Sequence, residues 1–306
     1  METRDFQAVL HQIPTLSLAQ LKQLRHATEH ELSTHQVGQL VADKEEAICP
    51  CPHCESADLN RWGMTPQGIQ RYRCKACFKT FSALTNTPLH RMRKSEKWLQ
   101  YTAMMRDGVS LREAAARLSI NLKTSFRWRH AFLKAPTRHR PDHLAGVIEA
   151  DETFLKESFK GCRNMPRPAR KRGGGRETLT PIIIAMNRSG DVSDRVLKRN
   201  TRKEIQDFLK PLLTEGSVLC TDGNDSYDGV TGPLHIEHKR LVAAHEQRVV
   251  EGVYHIQTLN NYMMNWKGWM GRFKGVSTKY LHHYLGWHRF MYQTDYSQEE
   301  WIRAAL

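Results

Sequence analysis

The sequence predicts an α/β protein built around a mixed sheet and preceded by two smaller modules, on three observations. Two apolar runs, Gly146-Val147-Ile148-Glu149-Ala150-Asp151-Glu152-Thr153-Phe154 and Ser217-Val218-Leu219-Cys220-Thr221-Asp222-Gly223, read as buried strands that end in acids. A hairpin pattern and a helix pattern lie between them. Ahead of both stand four cysteines in two tight pairs, and then two helix patterns joined by a short turn.

The chain has 306 residues, enough for two or three domains with a sizeable core. Lys and Arg total 46 against 32 Asp and Glu, a formal net charge of +14. That surplus suits a polyanionic partner, most often nucleic acid, and argues against small acidic substrates. No apolar run approaches the length that spans a bilayer, and Met1-Glu2-Thr3-Arg4-Asp5 lacks a signal-peptide core, so a cytoplasmic protein is expected. Seven cysteines, four of them paired, fit metal ligands in a reducing cytosol better than a disulfide framework.

Residues 1–48 read as a helical segment. Ser17 followed by Gln20 fits a capping box, and Leu18, Leu21, Leu24 and Leu32 fall near helical spacing. Residues 49–90 read as a zinc ribbon. Cys51-Pro52-His53-Cys54 and Cys74-Lys75-Ala76-Cys77 are separated by 19 residues, and two such knuckles close a tetrahedral zinc site with no open position. The zinc is therefore structural. Cys49 could compete with Cys51, but Cys51 and Cys54 match the spacing of the second pair. Gly63, Gly68 and Arg71-Tyr72-Arg73 suit hairpin strands between the knuckles.

Residues 91–137 read as a helix-turn-helix domain. Ser110 caps a helix through Leu118, Ser119-Ile120-Asn121 turns, and Leu122 to Lys134 forms a second helix. Lys123, Arg127, Arg129 and His130 lie on that second helix, a candidate for the DNA major groove. Packing of two bundle helices is the competing reading. Pro136-Thr137-Arg138-His139-Arg140-Pro141 reads as a basic linker.

Residues 138–306 form the sheet domain. Side chains alternate along a strand, so Glu149 and Asp151 share one face and Glu152 takes the other. An acid ending a central strand is costly to bury unless paired or holding a metal, which makes Asp151 a candidate ligand. A basic run follows, with Arg170, Lys171 and Arg172 at its centre. It reads as a solvated loop that could also grip a phosphate backbone. Pro181 to Asn187, a turn at Arg188-Ser189-Gly190-Asp191, and Val192 to Val196 make the hairpin; a helix spans about Thr201 to Leu213. Two strands ending in Asp on either side of a hairpin and a helix are what a ribonuclease-H-like fold requires, with a later helix supplying a third ligand. That helix runs from His255 to Phe273, with Lys267, Arg272 and Lys274 as basic groups along and beyond it. Trp266 and Trp269 read as core rather than base-stacking platforms. Histidines 235, 238, 245 and 255 match no standard ligand spacing.

These residues resemble a known group. Asp151-Glu152-Thr153, Thr221-Asp222-Gly223, His255 through Asn260, Arg272-Phe273-Lys274-Gly275-Val276-Ser277-Thr278-Lys279-Tyr280-Leu281 and Tyr284-Leu285-Gly286-Trp287 look like bacterial insertion-sequence transposases. The group is insertion-sequence family fifteen ninety-five (ISXO2-like), related to the Merlin superfamily. The ribbon residues Arg71-Tyr72-Arg73-Cys74-Lys75-Ala76-Cys77 match as well, so the resemblance covers about residues 50–292. It implies a DDE-type domain that cuts double-stranded DNA at the element's ends and joins them to target DNA. Its first two acids fall on Asp151 and Asp222, and the third position falls on Asn260, where many relatives carry Glu. An Asn carbonyl ligates Mg²⁺ more weakly than a carboxylate, and Glu251 is a nearby acid outside the matched motif. The resemblance implies two Mg²⁺ or Mn²⁺ ions, bridged by Asp151, with Asp222 on one and Asn260 on the other. Cutting paired ends implies a homodimer or larger assembly on DNA. The rival expectation is a DNA-binding regulator whose nuclease domain no longer cuts.

Overall fold

The computed structural model describes residues 3–46, 50–165, 168, 178–230, 236–242, 249–293 and 297–306. The chain forms two compact units, residues 1–132 with 296–306, and residues 133–295.

In the first unit, helices α1 (Thr3–Gln12) and α2 (Leu18–Glu46) precede a three-stranded antiparallel sheet, β1 (Leu59–Met64), β2 (Gln70–Cys74) and β3 (Thr80–Ser82). The expected capping box forms: the Ser17 amide donates to Gln20 Oε1 at 2.9 Å and the Gln20 amide to Ser17 Oγ at 3.4 Å. The leucine stripe does not become core, because Leu18 and Leu32 are exposed and α2 buries Ser33, Val37, Leu40 and Val41 instead. Gly63 and Gly68 both take positive φ where the β1–β2 hairpin bends, a backbone that other residues rarely adopt.

Helices α3 (Trp98–Arg106), α4 (Leu111–Arg117) and α5 (Leu122–Phe132) follow. Ser110 caps α4 by accepting from the Glu113 amide, and Asn121 accepts from the Lys123 amide where α5 begins. The predicted helix pair is therefore present, ending at Phe132 rather than Lys134. The second unit opens with α6 (Lys134–Arg138), so part of the expected linker is helical. The last helix, α10 (Gln298–Ala305), lies in the first unit and not with the sheet domain to which its position in the chain assigned it. Its Gln298 carbonyl accepts from Thr102 Oγ1 at 3.2 Å, and Glu299 accepts from Gln36 at 3.0 Å.

The second unit is organised by five strands: β4 (Val147–Lys156), β5 (Leu179–Asn187), β6 (Val192–Val196), β7 (Val218–Asp222) and β8 (Glu237–Leu241). Their order is β6-β5-β4-β7-β8, with β4 antiparallel to β5, parallel to β7, and β7 parallel to β8. An antiparallel first half extended by two parallel strands is the expected ribonuclease-H-like mixed sheet. Helix α7 (Arg202–Leu209), capped by Thr201, covers one face. Ile205, Phe208 and Leu209 pack there against Ile148, Ala150, Ile183 and Leu219. Helix α8 (Gln257–Gly271) packs on β4 and β5, and α9 (Leu281–Gln293) packs on α6 and β6. Edge strand β8 was not predicted, because Glu237-His238-Lys239-Arg240 shows neither alternation nor an apolar run.

Arg289 of α9 is fully buried and pairs with buried Asp194 of β6. Its remaining donors reach the carbonyls of Pro136 at 2.9 Å and His139 at 3.2 Å. A buried charge is tolerated only with such complete pairing.

Candidate active site and zinc site

The register of two parallel strands brings the acids together. Val147, Ile148 and Glu149 pair with Val218, Leu219 and Cys220, so Asp151 and Asp222 stand in line two residues further on. Asp151 does not end its strand as expected: β4 runs on to Lys156, paired with β5 alone beyond this point. What ends at the site is β7, leaving an open edge beside Asp151.

Carboxylate oxygens of Asp151, Glu152 and Asp222 all lie within 4.8 Å of one another at that edge. Glu152 was placed on the opposite face by alternation, and it does approach from the α7 side, where Tyr227 donates to its Oε2 at 2.7 Å. The open edge lets side chains from both faces converge past the end of β7. Asp151 Oδ1 folds back to accept from the Glu152 amide at 2.7 Å, and Asp222 Oδ1 accepts from the Asn224 amide at 3.1 Å. Among the described residues, Glu152 Oε1 is buried with no close hydrogen bond, although Asn200 lies near enough to favour the carboxylate. Burial pushes the Asp151 carboxyl up to about 7, and the charges of Asp222 and Glu152 add to the effect. Burial likewise raises Glu152. Three crowded, partly buried carboxylates fit a divalent cation, because oxygen donors of this kind satisfy Mg²⁺ or Mn²⁺ and relieve their mutual repulsion.

Asn260 is an exposed first-turn residue of α8. It shares a helical stripe with Met264 and Lys267 (three positions spaced by four and three), and the Lys267 charge acts on Asp151. The next residue back, Leu259, donates its amide to Glu149 Oε2 at 2.9 Å, which ties α8 to β4 two residues before Asp151. Glu251 lies outside the acidic cluster and is ion-paired with Lys239. His255 accepts the Gln257 amide on Nδ1 at 3.2 Å and lies beside Arg188. His238 bonds Thr221 at 2.8 Å, and burial lowers its basicity. Histidines 235 and 245 lie outside the described residues.

Among the basic candidates, Lys123, Arg127, Lys267, Arg272 and Lys274 are exposed. Arg129 is a correction: it is 1 % exposed and donates to the Val109 carbonyl at 2.6 Å, so it braces the helix pair instead of facing solvent. Arg170, Lys171 and Arg172 lie outside the described residues. Trp266 and Trp269 are buried, as expected.

The cysteines converge as the spacing predicts. Cys51, Cys54, Cys74 and Cys77 form one cluster, with Sγ–Sγ separations of 3.8 Å (Cys51–Cys77) and 3.5 Å (Cys54–Cys74). A tetrahedral zinc with Zn–S bonds of about 2.3 Å needs sulfurs about 3.8 Å apart, so the four thiols fit the ion. The two knuckles repeat one design: Glu55 donates its amide to the Cys51 carbonyl and Phe78 to the Cys74 carbonyl, both at positive φ. The Cys77 amide pulls the Cys74 thiol down to about 6, which favours the ligating thiolate. Cys49 lies outside the described residues.

The model of the ISXO2-like transposase domain matches residues 143–293, and that of the InsA N-terminal domain matches residues 48–78. A protein described as an uncharacterized protein in transposable element ISH50, from Halobacterium salinarum, is 30% identical over 248 residues, covering 77% of this chain and 82% of its own. The chain belongs to the ISXO2-like family of insertion-sequence transposases. The ribbon also matches insertion element iso-IS1N protein InsA of Shigella dysenteriae, 36% identical over 77 residues, or 25% of this chain and 82% of that one. Among solved structures, the Mos1 transposase paired-end complex with left transposon end is 12% identical, covering 68% of this chain and 76% of its own, with a TM-score of 0.22. The fold assignment rests on the sheet order rather than on that overlay. Among the described residues, no helix is long and apolar enough to cross a membrane.

Proposed function

We propose that this chain binds the terminal inverted repeats of its own insertion sequence and catalyses divalent-metal-dependent strand cleavage and strand transfer there. The observation that carries the reading is the convergence of Asp151, Glu152 and Asp222 at the end of a parallel strand pair in a member of a transposase family. Asp151, Asp222 and Asn260 would hold two Mg²⁺ or Mn²⁺ ions, and Glu152 supplies the third carboxylate that Asn260 does not. Bound there, the ions would activate the attacking oxygen and stabilise the leaving one during in-line displacement. In the first step water forms a bond to phosphorus and the bond to the 3′-oxygen breaks, leaving a 3′-hydroxyl on the element. That hydroxyl then attacks a target phosphate, displacing its 3′-oxygen, so strand transfer needs no ATP. Lys267, within electrostatic reach of Asp151, offers a cation for the phosphate being cut.

The ribbon (49–90) and helix pair (91–137) would bind double-stranded DNA, with Lys123 and Arg127 on the groove-facing helix. Zinc held by the four cysteines is structural, because no coordination position is left for water. Cutting at two ends calls for a homodimer or larger assembly on DNA, at the bacterial nucleoid in the cytoplasm. The test is Asp151→Ala in a nicking assay with Mg²⁺ or Mn²⁺ on the element's end DNA. Cleavage should fall at least 1,000-fold, on the order of what losing a metal ligand costs, while gel-shift affinity stays within about 2-fold. Equal loss of cleavage and binding would sink the assignment. A parent protein that binds the ends and never nicks them is instead the regulator reading, favoured by the Asn at position 260.

A further inference from the structure

Helix α8 lacks the usual side-chain cap at its own N-terminus. The Ile256 side chain at the capping position offers no acceptor; His255 Nδ1 takes the Gln257 amide at 3.2 Å, and the amides that follow need acceptors from elsewhere. Glu149 supplies one from the sheet: it is 1 % exposed, and its Oε2 accepts the Leu259 amide at 2.9 Å. Its other oxygen, Oε1, stands 2.8 Å from Arg188 Nη1. Arg188, from the turn between β5 and β6, also donates to Thr258 Oγ1 at 2.9 Å and to the Val253 carbonyl at 3.1 Å. Thr258 and Leu259, the two residues before Asn260, are thus both gripped by groups of the sheet. Glu149 lies two residues before Asp151 on the same face of β4. One carboxylate therefore links the strand that carries the first acid to the helix that carries the third position.

We propose that Glu149, locked by Arg188, is a positioning residue that sets helix α8 against β4 and so fixes Asn260 and Lys267 relative to Asp151. It touches neither DNA nor the cations. This deepens the proposed function and rests on it. A buried carboxylate that accepts a helix amide on one oxygen and ion-pairs with a guanidinium through the other restrains both the axial position and the rotation of the helix. A merely structural acid would lose stability when replaced, with the site's chemistry unchanged in the protein that remains folded.

The experiment compares parent, Glu149→Gln, Glu149→Ala and Asp151→Ala in the full chain. Five measurements are made: melting temperature, amide hydrogen exchange in the first turn of α8, Mn²⁺ affinity by calorimetry, gel-shift affinity for end DNA, and the metal-saturated nicking rate on that DNA. The expected result is graded. Glu149→Gln keeps an acceptor for Leu259, so nicking falls about 10-fold, and Glu149→Ala falls 100-fold or more. Mn²⁺ binding should weaken at least 5-fold in Glu149→Ala, with exchange accelerated at Leu259 and Asn260 and DNA affinity within 2-fold of parent. If Glu149→Gln and Glu149→Ala both melt lower yet nick and bind Mn²⁺ like the parent at a temperature where they are folded, the positioning role is wrong and the active-site reading stands. If Asp151→Ala also nicks like the parent, or the parent does not nick, the active-site reading fails and the inference goes with it. Should Glu149→Ala not fold, the Gln variant and Arg188→Lys decide by the same measurements, a parent-like rate and Mn²⁺ affinity in both overturning the role.

Discussion

Burial lifts Asp151 from its ordinary 3.8 to about 7, so in the metal-free protein this carboxyl binds a proton more readily folded than unfolded. The sign follows from that difference: its contribution to stability is lost as pH rises between about 4 and 7 and is least favourable above 7. The shift corresponds nominally to about 4 kcal/mol, and screening at a partly exposed edge leaves roughly 1–2. Asp151→Asn, which cannot ionise, should therefore melt higher than the parent at pH 8 without divalent metal and at the same temperature at pH 4. Adding Mg²⁺ should reverse the order at pH 8. A calorimetric scan showing the variant lower at pH 8 without metal would refute burial as the cause. Asp151 and Asp222 were legible because each follows an apolar run. The approach of Glu152 was not, since alternation gives its face correctly but says nothing of side chains from the two faces converging past the end of a neighbouring strand. Arg129 misled for a simpler reason, because charge on a helix says nothing about which face is buried.

Among elements, the contact of α9 with α6 is the most exacting. A Cβ on Gly286 would lie 2.7 Å from Thr137 Cα and 2.8 Å from its amide nitrogen, both backbone atoms that cannot move aside alone. Gly286→Ala should destabilise by about 2–3 kcal/mol through overpacking, read as a lower urea midpoint at unchanged slope. An unchanged midpoint would mean that the two helices separate without cost. The elements themselves were largely visible beforehand: the Ser110 cap, the hairpin at Arg188 to Asp191 and the glycines of the ribbon are local signals. The helical character of Lys134 to Arg138 was hidden by Pro136 and its basic residues, because packing on α9 and the carbonyl bonds to Arg289 supply what propensity does not. The place of α10 was equally hidden, since its capping box specifies a helix and not its partner.

For the whole molecule, a net charge of +14 and five exposed basic candidates make DNA binding a salt-dependent property. If those five side chains each meet a phosphate, affinity for end DNA should fall with salt at a logarithmic slope of about −4 to −5. Removing Lys123 alone should flatten the slope by about 1 and weaken all sequences alike. Fluorescence anisotropy between 50 and 200 mM salt would show it, at ionic strengths where counterion release dominates. A slope near zero would place the charge away from DNA.

Sequence by itself determined the ligand types, the zinc spacing, the strand that leads to each acid and the helix pair, because each is written in neighbouring residues and their periodicity. The tertiary structure decided which carboxylates share the open edge of β7, that Glu149 accepts a first-turn amide of α8, and that Arg129 faces inward. Those outcomes depend on register between strands far apart in the chain and on where one strand ends beside another. No local pattern encodes either, since both come from the packing of the finished sheet.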